Sequence, residues 1–110
     1  MKNFVQKGEI VTISAPYALS SGDPALVGSL FGIAATDAAS GAEVEALTVG
    51  VFHLPKKTGE AWTTGGKVYW DDTARECTTT VTDNSLVGTA MTAAASAATT
   101  GVVRLNGFIG

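Results

Sequence analysis

Short runs of alternating and β-branched residues follow one another along the chain, and none keeps a 3.6-residue apolar stripe. Glu9-Ile10-Val11-Thr12-Ile13 mixes alternation with β-branching, and Glu43-Val44-Glu45-Ala46-Leu47-Thr48-Val49 alternates at its start. Lys67-Val68-Tyr69-Trp70, Thr78-Thr79-Thr80-Val81-Thr82 and Val102-Val103-Arg104-Leu105 are rich in strand formers. Turn chemistry separates them. Ser21-Gly22-Asp23-Pro24, Asp37-Ala38-Ala39-Ser40-Gly41 and Asp83-Asn84-Ser85 are turn signals, and Asp71-Asp72-Thr73-Ala74 predicts a hairpin tip. Short strands at this spacing predict an all-β fold, a small antiparallel β-barrel or sandwich.

The Ala-rich stretch Thr89–Ala98 has helical propensity. Its counterpart, Leu30–Ala39, carries an internal Gly and no helical stripe. Both read as a strand followed by a loop of small residues, with room for one helical turn in the second. That comparison rests on a repeat. Gly8-Glu9-Ile10-Val11 is answered by Gly66-Lys67-Val68-Tyr69, Ala25-Leu26-Val27-Gly28-Ser29 by Ser85-Leu86-Val87-Gly88-Thr89, and Ala38-Ala39-Ser40-Gly41 by Ala98-Thr99-Thr100-Gly101. Three matches in one order, all roughly 58 to 60 residues apart, predict a pseudo-twofold internal repeat. The organisation expected is an N-terminal arm over 1–7 and a single β domain over 8–110, made of halves 8–54 and 66–110. Residues 55–65 join the halves, and Trp62 within them is expected to pack down on a barrel end or a neighbour.

Length agrees with one domain: 110 residues bury one core and leave no room for a separate cofactor domain. Charged residues make up 15% of the chain, with Ala, Thr, Gly and Ser in their place, so part of a weakly charged surface is expected to lie under a partner. The net charge is −3, and Lys2, Lys7, Lys56, Lys57, Lys67, Arg75 and Arg104 are scattered rather than clustered. An electrostatic grip on nucleic acid needs them clustered, so no nucleic-acid partner is expected. No apolar run reaches the ~18 residues of a membrane span. Met1–Lys7 runs into Gly8-Glu9 without an apolar core, so a secretory leader is not expected. The single cysteine excludes an internal disulfide.

Candidate chemistry is sparse. His53 is the one histidine, and neither an acid–base partner nor a set of metal ligands accompanies it, which favours an ordinary strand histidine. Cys77 has Arg75 and Glu76 beside it and no histidine in its local sequence, and reads as a small strand residue. Asp71-Asp72 lacks the spaced oxygen ligands of a calcium loop and reads as a turn. Glu43 and Glu45 mark a solvated strand face. A phosphate loop ending at Gly66-Lys67 fails at both ends, with Ala61 at the first glycine and Val68 after the lysine. Gly28, Gly32 and Gly88 read as strand kinks or close backbone approaches. No catalytic residue, metal ligand or cofactor site is expected.

Several stretches together resemble a family of small head proteins of tailed phages and prophages. They are Gly8–Thr12, Ser21–Ala34 with its Gly-Ser-Leu-Phe-Gly run, Thr48–Lys56, Ala61-Trp62, Val68-Tyr69-Trp70-Asp71-Asp72, Leu86-Val87-Gly88 and Thr100–Gly107. The resemblance spans essentially the whole chain beyond its first residues. It implies a capsid decoration or cement protein with a β-rich fold, seated on the outer capsid surface of the virion, commonly as a homotrimer at local threefold positions. The major capsid protein is the implied partner, and the bacterial host cytoplasm the implied place of synthesis. Members have sometimes been labelled RecA/RadA-like recombinases, a label that the missing phosphate loop sets aside.

Lys2, Asn3, Phe4, Val5 and Gln6 have the makings of a capsid-contact arm: terminal, short, with two apolar anchors. An extended segment that adds to a sheet edge docks in this way. The same residues suit an ordinary first strand or a frayed terminus equally well. The first expectation is thus a structural shell-binding protein and not an enzyme. The alternatives are a recombination accessory protein that binds DNA or nucleotide, and a small enzyme or ligand-binding barrel using His53 or Cys77.

Overall fold

The computed structural model describes residues 10–106 apart from Ser29 and the side chain of Asn106. The chain forms nine strands there: β1 (Ile10–Ser14), β2 (Pro24–Val27), β3 (Leu30–Ala34), β4 (Glu43–Leu47), β5 (Val49–Pro55), β6 (Lys67–Asp71), β7 (Glu76–Thr78), β8 (Ser85–Ala90) and β9 (Thr100–Asn106). No helix occurs among the described residues, and the Ala-rich stretch is strand to Ala90 and loop beyond. All strand pairs within the two sheets are antiparallel.

The first sheet runs β1-β4-β3-β2 and the second β5-β9-β8-β6-β7. A parallel bridge between Lys56 and Cys77, with the Lys57 N–H donating to the Cys77 carbonyl at 2.9 Å, brings the two edge strands of the second sheet together. That sheet is therefore curled into a half-barrel. Its interior holds Leu54, Trp62, Val68, Trp70, Val103 and Leu105. Phe31 and Ile33 of β3 enter the same cluster from the first sheet, and the Phe31 and Trp70 rings meet at 5.2 Å with planes at 51°. A second, smaller core of Ile13, Ala15, Leu19, Ala25, Ala34, Val44 and Ala46 belongs to the first sheet alone.

Two expectations need correcting. Gly28, read from sequence as a strand kink or close approach, is a turn. Gly28 takes φ +61° and turns the chain between β2 and β3, so Leu26 pairs with Phe31 across a hairpin. In the second half the matching Leu86-Val87-Gly88 stays within β8, where the register against β6 shifts between Val68 and Tyr69. Thr78–Thr82 is not a strand over its whole length either. Pairing stops at Thr78, where side chains take over the backbone groups of the next residues.

The pairing schemes of the two sheets correspond, although not at the positions matched by sequence. β5-β9-β8-β6 repeats the order β1-β4-β3-β2, with β7 added at the edge. The loops follow suit. Leu19 and Ala38 exchange two backbone bonds at 2.8 and 2.9 Å, and Trp62 and Ala94 exchange two at 2.9 and 3.1 Å. Gly22 N–H donates to Ala34 and Gly65 N–H to Ala90, and both glycines sit at positive φ. In this correspondence Gly88 matches Gly32 rather than Gly28. Both lie where a Cβ would meet the next strand, Ala46 in one case and the Arg104 backbone in the other. Residues 49–54, placed by sequence at the end of the first half, belong to β5 and pair with β9.

Candidate functional site

The arm residues Lys2, Asn3, Phe4, Val5 and Gln6 lie outside the described residues, just before β1. Among the described residues β1 is an edge strand, paired with β4 and with no second neighbour in its sheet. Its β-branched sequence carries no Pro, Lys or bulge to blunt that edge, so its outer backbone groups suit strand addition.

His53 stands on β5 opposite Val102, exposed to solvent. Cys77 is fully buried on β7, paired with Trp70. Burial first, and the Glu76 carboxylate second, push its thiol up to about 12. A thiol held that far from ionisation is a packing group, not a nucleophile. The two side chains are not brought together, and neither lines the two cavities found, of about 420 and 190 Å³. Among the described residues no three His, Cys, Asp or Glu side chains cluster as metal ligands. No helix among the described residues is long and apolar enough to cross a membrane.

Asp71 and Asp72 do different work. Asp71 accepts the Thr73 and Ala74 N–H groups at 3.0 and 3.2 Å and shapes the hairpin tip. Asp72 accepts the Trp70 indole N–H at 3.0 Å and a longer bond from the Tyr17 hydroxyl at 3.5 Å. The Arg75 guanidinium lies 3.6 Å over the Tyr17 ring, and the Tyr17 hydroxyl also reaches the Pro24 carbonyl at 3.2 Å. Partial burial, followed by the Asp72 charge, raises the Tyr17 phenol above its ordinary range, while Arg75 pulls the other way. This group fastens the first sheet's loop to the β6–β7 hairpin. Asp72 and Arg75 sit at a turn by sequence, but nothing in their spacing signals a partner as distant as Tyr17.

Two further devices escape a reading of the sequence. Glu60 accepts the Thr78 hydroxyl at 2.7 Å, the Thr79 N–H at 2.9 Å and the Thr80 hydroxyl at 3.4 Å. Burial alone would raise its carboxyl, but these bonds and the Lys57 charge outweigh it and hold it below the ordinary value. Lys56 is 3% exposed. Its ammonium donates to the Lys57 carbonyl at 2.9 Å, reaches the Ser96 and Ala98 carbonyls at 3.5 and 3.4 Å, and lies 5.7 Å from the Trp62 ring centroid. Trp62 itself is buried, its ring against Gly101. The 55–65 connection is thus pinned to the half-barrel at Lys56, Glu60 and Trp62, with the residues between them exposed.

These features define a class: a β body in which Glu60, Lys56, Asp71, Asp72 and Arg75 fasten strands and loops to one another. The model of the phage cement protein family matches residues 5–105, and the chain belongs to that family. The family gives it a structural, capsid-stabilising role in a phage head. No curated protein and no solved structure matched the chain.

Proposed function

We propose that this protein is a decoration protein that binds the outer surface of an assembled phage capsid and locks neighbouring copies of the major capsid protein together, without turnover of any substrate. The observation that carries the reading is the family match along residues 5–105. The half-barrel supplies a stiff body, and the unblunted β1 edge with the arm before it supplies a means of attachment. In this proposal Lys2–Gln6 pair as an added strand with a capsid subunit, three copies gather at a local threefold position, and the protein is made in the host cytoplasm before it joins the virion. No observation favours the DNA- or nucleotide-binding alternative.

Co-sedimentation tests the reading. Purified protein mixed with undecorated capsids is expected to pellet with them in a saturable ratio and to raise their disruption temperature. No co-sedimentation with the capsid of its own phage refutes it. Deletion of residues 1–6 is expected to weaken capsid binding while the melting temperature of the free protein stays unchanged, and unaltered affinity rejects the arm.

A further inference from the structure

Strand β6 outruns its edge neighbour. β7 pairs with it at Asp71, Trp70 and Tyr69 and ends at Thr78, whereas β6 begins two residues earlier, at Lys67. In continued register Thr80 would stand opposite Lys67. Both backbone groups of Thr80 are engaged elsewhere. Its N–H donates to Thr78 Oγ1 at 3.2 Å, and its carbonyl accepts the Asn84 side-chain amide at 3.0 Å. The Thr79 N–H goes to Glu60 at 2.9 Å. Side chains thus stop the ladder within a run of strand-forming residues.

Lys67 is left with an open edge. The Gly66 carbonyl accepts the Ala90 N–H at 2.9 Å, on the β8 side. Backbone groups alternate in direction along a strand, so Lys67 turns its N–H and C=O the other way, toward the side that β7 has left. A cavity of about 420 Å³ lies there, within the ~300–1,000 Å³ of ligand clefts. Lys67, Tyr69 and Thr79 border it, and Trp62, Val68 and Ala90 give it a buried, largely apolar side. Trp62 also carries a buried indole N–H with no acceptor among the described residues. Lys67 is exposed, and no carboxylate lines the cavity.

We propose that this slot receives an extended segment of a different protein, which adds to β6 as a short strand and reads apolar–acidic–apolar. The backbone of the middle guest residue meets the Lys67 N–H and C=O, as in other strand additions. Side chains alternate across a strand, so that residue stands on the Lys67 face, where a carboxylate meets the ammonium. Its two neighbours point the other way, with Val68, toward Trp62 and Ala90, and are apolar. A lone cation in a lining without carboxylates selects an acidic guest over a basic one. The slot asks nothing of residues 1–6 and stands or falls separately from capsid binding.

Nuclear magnetic resonance of the isotope-labelled full chain tests it with two capped probe peptides. One is acetyl-Thr-Val-Glu-Val-Thr-amide, and the other has Lys in place of Glu. The Glu peptide is expected to shift the Lys67 and Val68 amides and, at saturation, to slow hydrogen exchange of the Lys67 N–H on the order of 10-fold. It should bind about 5-fold tighter than the Lys peptide. Lys67→Glu keeps the open backbone edge and reverses the charge at an exposed position, so it should invert that preference with the fold intact. No shift with either peptide, equal binding of both, unchanged exchange at Lys67, or a preference that Lys67→Glu leaves as it was overturns the proposal. Shifts of the same amides when the protein alone is concentrated assign the slot to a second copy. Binding that appears only after removal of residues 1–9 or 107–110 assigns it to the chain's own ends. Either result overturns the proposal as well.

Discussion

Phe31 carries the join between the two sheets, and its removal tests that role quantitatively. It belongs to β3 but is 6% exposed within the half-barrel core, 5.2 Å from the Trp70 ring. A buried aromatic side chain removes about 200 Å² from water, worth about 5 kcal/mol at ~25 cal/mol per Å². Compactness of the unfolded chain lowers that to about 3–4 kcal/mol, in line with the ~3–5 kcal/mol of large-to-small core substitutions. Phe31→Ala is therefore expected to cost about 3–4 kcal/mol out of the ~5–15 kcal/mol of a domain this size. Phe31→Leu keeps most of the volume and loses mainly the ring pair, about 1–1.5 kcal/mol. Urea unfolding reads both, with tryptophan emission reporting Trp62 and Trp70 in the half-barrel and far-ultraviolet circular dichroism reporting all strands. At a slope near ~1.3 kcal/mol per molar, the midpoint of Phe31→Ala should fall by about 2–3 M. A fall under about 0.5 M, or equal costs for Leu and Ala, would refute the assignment of Phe31 as the joining residue.

Gly88→Ala places a methyl group on the Arg104 backbone and is expected to cost about 2 kcal/mol or more, whereas Gly66→Ala, which meets only the Thr63 loop at 3.1 Å, should cost less; thermal melts of the two compare them. Glu60 has a folded-state carboxyl below its ordinary 4.5, so its contribution is full above that value and is lost as pH falls through the folded one. Urea midpoints of wild type and Glu60→Gln should therefore converge as the pH drops below about 4.5, and a gap that stays constant would remove Glu60 from its clip. Cys77, with its thiol near 12, should resist alkylation in the folded protein and react at the rate of unfolding as urea is added; prompt native labelling would contradict its burial.

The all-β class was legible because alternation and turn residues are local signals. Ile10–Ser14, Lys67–Asp71 and Thr100–Asn106 fall close to the strands that pattern alone predicts. Cys77 as a packing residue and Asp71 as a turn former were legible for the same reason. What was not legible depended on distance or on one dihedral angle. Leu26-Val27-Gly28 and Leu86-Val87-Gly88 look alike, yet only the first turns, because Gly28 takes a positive φ while Gly88 lies flat against β9. The likeness drew the sequence comparison to Gly28 as the partner of Gly88, where the hydrogen bonds select Gly32. Lys56 followed by Lys57, Thr58 and Gly59 has the composition of a solvated linker. The Lys57 carbonyl, the Ser96 and Ala98 carbonyls of a loop some forty residues on, and the Trp62 ring together hold its ammonium inside.

The passage from the first sheet to the second has a mechanical consequence. β4 ends at Leu47 and β5 begins at Val49, with Thr48 buried between them. A tether of one residue has no slack. Tension applied to either sheet passes into the other at once, along ladders that must slip several hydrogen bonds together before they yield. Such a body behaves as a rivet rather than a hinge.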